Sequence, residues 1–269
     1  MSLSISGKTA IVTGAAHGIG LAIARHFADR GANVMFADID EAKLVDEVGD
    51  EAANDGKLRY FSGDLCQKLT LANLLSATID AFDRVDILVN AARGFATVDP
   101  LCTDEAVLEA MLRQNMMAGL RLSQMTAKRM IAQAEKDDRR GQQIGSIINI
   151  SSIAACRTQP ELMAFSIACA AQDQATRSLA LALAPQGIRV NSVALGSVMS
   201  ASMQTVLKDN SDWRDAIARG TPMGRIGAAH ELVEAVQFLA SDGAGFMTGQ
   251  ILTIDGGRAL VDAVPIPVF

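Results

Sequence analysis

The segment TGAAHGIG, Thr13–Gly20, sets glycines at 14, 18 and 20 directly after a short apolar run and at the head of a helical pattern. That spacing, G-x-x-x-G-x-G, lets the backbone turn sharply and bring N–H groups against a pyrophosphate at the positive end of a helix beginning near Ile19. Glycine also serves ordinary tight turns; its placement between strand and helix is what points to a dinucleotide. His17 lies inside the turn, either beside the phosphates or turned to water. Asp38 ends the next apolar run, eighteen residues beyond Gly20. Its carboxylate can accept hydrogen bonds from adenosine ribose hydroxyls, with Ile39 beside it, or it can cap a helix starting near Asp40. A carboxylate there repels a 2′-phosphate, and no Arg follows at positions 39 to 42 to attract one. The expected cofactor is therefore NAD(H) rather than NADP(H).

These groups need strands to carry them. Seven short β-branched or apolar runs read as strands: Thr9–Thr13, Asn33–Asp38, Leu58–Asp64, Val85–Asn90, Ser146–Ser151, Arg189–Val193 and Ile251–Asp255. Several are apolar almost throughout, as strands covered on both faces must be. Helical patterns separate them, for example Ala106, Leu108, Met111, Leu112, Met116 and Leu120 in one stretch from Thr103 to about Glu135. The alternation predicts an α/β fold: a single doubly wound Rossmann-type domain, residues 1–258, with a seven-stranded, mainly parallel sheet and helices on both faces. Residues 259–269 form a tail with Pro265 and Pro267, either packed on a neighbouring subunit or disordered.

With 269 residues, 49% of them hydrophobic, the chain can bury a full core. Its net charge of −6, with no long single-sign run, argues against nucleic acid or an anionic membrane as partner. No apolar run is long enough to span a bilayer, and the N-terminus does not read as a secretion signal. Four irregularly spaced cysteines (Cys66, Cys102, Cys156, Cys169) suggest neither a disulfide framework nor a zinc site. His17, His26 and His230 lack metal-ligand spacing, so no metal is expected. A reducing cytoplasm fits best.

Taken with the glycine turn, further motifs make the chain similar to the short-chain dehydrogenase/reductase family over nearly its whole length. Asp64-Leu65 resembles the family's adenine-contacting pair, and Asn90-Ala91-Ala92 its N-A-G, with Ala for Gly. Asn115 in RQNMMAGL resembles the helix asparagine that anchors a proton-relay water, and Ser152 in NISSIA the substrate-orienting serine. LGSVMS, with Gly196, Val198 and Ser200, resembles the P-G-x-V-x-T segment that clasps the nicotinamide carboxamide, Leu195 replacing the proline; MTGQILTIDGG resembles the closing strand. The resemblance implies an oxidoreductase using Ser152 and Asn115.

One part of the pattern breaks. The family's catalytic Tyr stands thirteen residues after the serine and its Lys four further on; here those positions hold Phe165 and Cys169. The chain's single tyrosine is Tyr60, and no lysine lies between Lys136 and Lys208. A phenol passes a proton to the substrate oxygen, helped by a nearby ammonium; a phenyl ring has none to pass. In resembling enzymes the Lys also holds the nicotinamide ribose. Cys169 could act as a thiolate if a cation such as Arg157 stood near, but a small buried core residue is the favoured reading. Glu161 could serve as a base or stay a solvated loop carboxylate. Ser166 points about 100° away from Phe165 around the helix. Ser152 and Asn115 either face a ligand or only satisfy backbone groups.

Two functions follow as expectations. One is slow NAD(H)-dependent turnover of a small alcohol or carbonyl through Ser152 and water near Asn115. The other is a NAD-binding pseudoenzyme, structural or regulatory, with no substrate; non-redox lyase or isomerase chemistry would need a base the sequence does not name. The resemblance implies a homo-dimer or homo-tetramer through the helices Thr103–Glu135 and Met163–Ala184, and a lid over residues 200–225, where Met203, Trp213 and Met223 suggest an apolar cover.

Overall fold

A computed structural model describes residues 3–54, 56–139, 141–199 and 201–262. Its main sheet comprises β1 (Thr9–Thr13), β2 (Asn33–Asp38), β3 (Leu58–Ser62), β4 (Ile87–Asn90), β5 (Gly145–Ser152), β6 (Ile188–Leu195) and β9 (Ile251–Ile254). The order is β3-β2-β1-β4-β5-β6-β9 and every neighbouring pair is parallel, as the sequence predicts. A separate two-residue ladder joins β7 (Val198–Met199) to β8 (Gly227–Ala228).

Alternate strand residues face opposite layers, which is why the runs are apolar throughout. Val12, Phe36 and Ile148 pack under α1 (Gly18–Asp29), α2 (Glu41–Asn54) and α9 (Ala229–Ala240) through Phe27, Leu44 and Leu239. Ile11, Met35 and Ile147 pack on the other face under α3 (Lys68–Phe82), α5 (Ala118–Lys136) and α6 (Met163–Leu183) through Leu74, Leu122 and Ala180. Two short helices, α7 (Ala201–Asp209) and α8 (Ser211–Arg219), occupy the expected lid segment.

Several boundaries depart from the sequence reading, three of them for a local structural reason. Asp64 lies beyond β3, because its carboxylate accepts from Cys66 N (2.9 Å) and closes a turn. β4 starts at Ile87, because both backbone groups of Val85 are taken by the Gln133 side chain at 3.0 Å. The helix expected from Thr103 is in two parts, α4 (Ala106–Leu112) and α5, joined through a π turn over Arg113–Met117. One extra residue per turn barely disturbs an apolar stripe, so periodicity does not register it. Residues 263–269, most of the expected tail, lie outside the described residues; before them Arg157 donates to the Ala259 carbonyl and Ala259 N to Asp255.

β1 has β2 on one side and β4 on the other, so successive crossovers diverge at their C-terminal ends. A doubly wound sheet opens a crevice at such a point.

Candidate active site

The crevice holds a cavity of about 380 Å³. At one end the chain leaves β1 through Gly14 (φ +68°) and enters α1 at Gly18 (φ +53°), left-handed conformations that favour glycine. A Cβ on Gly20 would stand 2.1 Å from the Gly14 carbonyl oxygen, and one on Gly14 2.8 Å from the Ala92 backbone. The turn is thus built against the loop after β4, and Thr13 bonds the two: its hydroxyl accepts from Ala91 N and Ala92 N, each at 3.0 Å. His17 precedes α1 without a side-chain cap, leaving first-turn N–H groups for a ligand.

Of the predicted residues, Gly14, His17, Gly18 and Gly20 line the cavity, as do Asp38 and Ile39, Asp64 and Leu65, Asn90, Ala91 and Ala92, and Asn115. Ile19 packs onto the core instead. Asp38 does not cap α2: Oδ2 accepts from Ala16 N (3.0 Å) and Oδ1 from Ile39 N and Asp40 N (2.7 and 3.2 Å). Asp40 caps α2 by accepting from Lys43 N (3.0 Å) and pairs with the His17 ring at 2.9 Å. Those bonds, the Lys43 amide first, hold the Asp40 carboxyl below its ordinary range. Asp64 is likewise lowered, chiefly by the Cys66 amide. An uncapped helix start, a turn a side chain would fill and a carboxylate free of Arg or Lys partners among the described residues fit a nicotinamide dinucleotide.

At the inner end, polar groups are bonded to one another. Asn90 Nδ2 donates to Asn149 Oδ1 (2.8 Å) and Ser123 Oγ (3.0 Å), and Asn149 Nδ2 to Thr176 Oγ1 (2.8 Å). Asn90 Oδ1 is buried with no partner among the described residues. Asn115, in the π turn, accepts from Gly94 N (2.7 Å) and donates to Gly94 O (3.0 Å), so its amide fixes the loop after β4. Ser152 is not among the residues lining the cavity: its Oγ donates to Leu195 O (3.4 Å) and accepts from Ala154 N (3.2 Å), both bonds to backbone. Gly196 and Val198 are outside this cavity's lining: Gly196 lets Asp255 approach, where a Cβ would stand 2.6 Å from its side chain, and Val198 lies in the small ladder. Ser200 is outside the described residues.

Phe165 is buried in an apolar cluster with Met111, Ala164 and Ala168, its ring edge-on to Phe95 at 5.5 Å. Cys169 is 2% exposed, and burial pushes its thiol up to about 11, against the thiolate reading. Glu161 is exposed, but it lies in a short 3-10 helix, Pro160–Leu162, rather than the expected loop. Arg157 is not the cation near Cys169, since its guanidinium goes to Ala259 O. That cation is Arg93, which sequence reasoning missed: it donates to Ser151 O (3.1 Å), and its Cζ lies 5.9 Å from the Phe165 ring centroid. The only signal was an arginine directly after Asn90-Ala91-Ala92; its direction is set by β5 and α6. Gln114 and Gln172 also line the cavity unpredicted.

A family model described as enoyl-(acyl carrier protein) reductase matches residues 14–259. An uncharacterized oxidoreductase of Thermotoga maritima is 33% identical over 262 residues, covering 96% of this chain and 100% of the relative. The 2,3-dihydroxy-2,3-dihydro-p-cumate dehydrogenase of Pseudomonas putida is 31% identical over 261 residues, 97% of each chain. Among solved structures, a 7α-hydroxysteroid dehydrogenase complexed with NADH and 7-oxo glycochenodeoxycholic acid superposes with a TM-score of 0.85 at 30% identity, covering 95% of each chain. Among the described residues no helix is long and apolar enough to cross a membrane, and no group of three or more His, Cys, Asp or Glu side chains is placed to hold a metal ion. Sequence, fold and cavity agree that the chain belongs to the short-chain dehydrogenase/reductase family of oxidoreductases.

Proposed function

We propose that the protein binds NAD(H) in preference to NADP(H) in the cavity between β1 and β4, and that it carries out proton-coupled hydride transfer on a small alcohol or carbonyl weakly or not at all. The observation that carries this reading is the contrast between the cavity's two ends. One has a glycine turn and Asp38; behind Arg93 at the other, the buried Phe165 brings a ring with no exchangeable proton and Cys169 a thiol held neutral.

The bound nicotinamide would supply or accept the hydride. Gly18 and Gly20 would present N–H groups to the pyrophosphate, Asp38 would accept from the ribose hydroxyls, and Asp64-Leu65 would flank the adenine. Asn115 positions Gly94 and the loop after β4. Phe165 and its cluster exclude water without moving a proton. General acid–base help contributes about 10²–10⁴-fold, so turnover through Ser152 and water alone would be slower by that order. The buried, neutral Cys169 favours a second reading, a NAD-binding pseudoenzyme with a structural or regulatory role. A homo-oligomer through α5 and α6 belongs to either reading, supported by the exposed Ile167 and Leu181 on α6.

Calorimetric titration of the full chain with NADH and NADPH tests the cofactor reading. NADH should bind the tighter; equal or tighter NADPH binding overturns it. Reduction of a broad carbonyl panel by NADH then separates the two readings, since any turnover above the buffer rate removes the pseudoenzyme. The variant F165Y/C169K should gain redox activity.

A further inference from the structure

We propose that Arg93 makes the inner end of the cavity a carboxylate site, which selects a small organic acid with an apolar body as the second ligand. This inference rests on the reading that a dinucleotide occupies the glycine end of the same cavity.

Arg93 lines the cavity and keeps much of its side chain accessible there. Neighbouring protein lowers its pKa through desolvation, though the group stays within reach of solvent. No partner charge is supplied: among the described residues no carboxylate lies within 4 Å of Arg93, whereas Arg25, Arg30, Arg84 and Arg225 each have one. The nearest acid along α6, Asp173, is bonded to Ser192 Oγ (3.3 Å), and Cys169 is held protonated. One guanidinium N–H goes to Ser151 O and the ring of Phe165 lies beneath the group, which fixes its plane. The other four N–H groups have no protein acceptor among the described residues.

A planar fork held in this way pairs bidentately with a carboxylate, a geometry a point charge does not reproduce. The surroundings describe the rest of the ligand. Gln114 and Gln172 line the cavity as neutral amides, and the Phe165 ring, edge-on to Phe95 and clustered with Met111, gives the guanidinium an apolar neighbour. A phosphate of the cofactor is the other possible source of an oxyanion. A carboxylate is favoured, because the first turn of α1 already offers N–H groups to phosphate at the opposite end.

The test is calorimetric titration of the full chain with sodium benzoate, benzamide and sodium phosphate, with and without saturating NADH. Benzoate should bind the wild type, and benzamide, the same ring without charge, about tenfold more weakly or worse. Arg93→Gln should weaken benzoate by about tenfold or more and leave NADH affinity within about threefold; Arg93→Lys, which keeps the charge but loses the fork, should fall between. Equal binding of benzoate and benzamide to the wild type, no benzoate binding at all, or benzoate binding undiminished in Arg93→Gln each overturns the proposal. Tighter phosphate than benzoate binding, or joint loss of NADH and benzoate in Arg93→Gln, assigns the guanidinium to the cofactor and also overturns it. If NADH fails to bind the wild type while benzoate binds through Arg93, the cofactor reading fails and the carboxylate site stands.

Discussion

Thr13→Val removes one oxygen atom from the hinge between the glycine turn and the loop after β4. Thr13 is 2% exposed, and valine keeps its shape and β-branching, so packing and side-chain entropy nearly cancel. What is lost is the acceptor shared by Ala91 N and Ala92 N at 3.0 Å each; donation to Val89 O, at 3.5 Å, is too long to count for much. An orphaned buried donor costs about 1–3 kcal/mol. Ala91 and Ala92 are half-buried and line the cavity, where water reaches, so the low end applies and the two together cost about 2 kcal/mol. At about 2–4 °C per kcal/mol for a domain of this size, Tm should fall by about 4–8 °C. Urea and thermal unfolding followed by circular dichroism measure it. Thr13→Ser keeps the oxygen and loses one methyl, about 1 kcal/mol, and should be the milder change. A valine variant as stable as the wild type, or a serine variant worse than the valine, would refute the hinge argument.

Gly20→Ala puts a Cβ 2.1 Å from one backbone oxygen and 2.9 Å from another, Gly14 O and Thr13 O, so the turn itself must shift. A clash of that kind costs about 1–3 kcal/mol, and NADH affinity should fall by about tenfold or more; calorimetric affinity within about twofold of the wild type would count against the turn as the phosphate cradle. Iodoacetamide at neutral pH, read by peptide mass spectrometry, should label the exposed Cys102 and Cys156 and spare Cys169, whose buried thiol is pushed up to about 11. Because that thiol sits above its unfolded value, the neutral form stabilises the fold at low and neutral pH, and the contribution is lost as pH rises through about 11. Labelling of Cys169 at the rate of Cys102 would contradict its burial.

The sheet and the glycine turn were legible because their signals are local. Apolar runs such as Ile87–Val89 report burial on both faces directly, and a turn that needs positive φ at Gly14 and Gly18 shows as glycine. What could not be read depends on partners distant in sequence. Val85 leaves β4 because Gln133 captures it from α5. Ser152 turns to Leu195 and Ala154 because β6 runs beside it. The orientation of Arg93 depends on a carbonyl fifty-eight residues away and on the ring of Phe165. In the sequence Asp38 reads as either a ribose or a capping residue, and only the register of the α2 start gives the cap to Asp40.

The amide chain from Asn90 through Asn149 to Thr176 also bears on how the molecule finds its structure. Asn90 and Asn149 are direct register partners in the parallel β4–β5 pairing, fifty-nine residues apart in sequence. Moving that pairing by one residue would turn one asparagine toward the opposite layer and strand its partner's amide among aliphatic side chains. Long-range parallel pairing forms late and has many near-misses. This pair of polar side chains rewards one alignment of the central strands and penalises its neighbours.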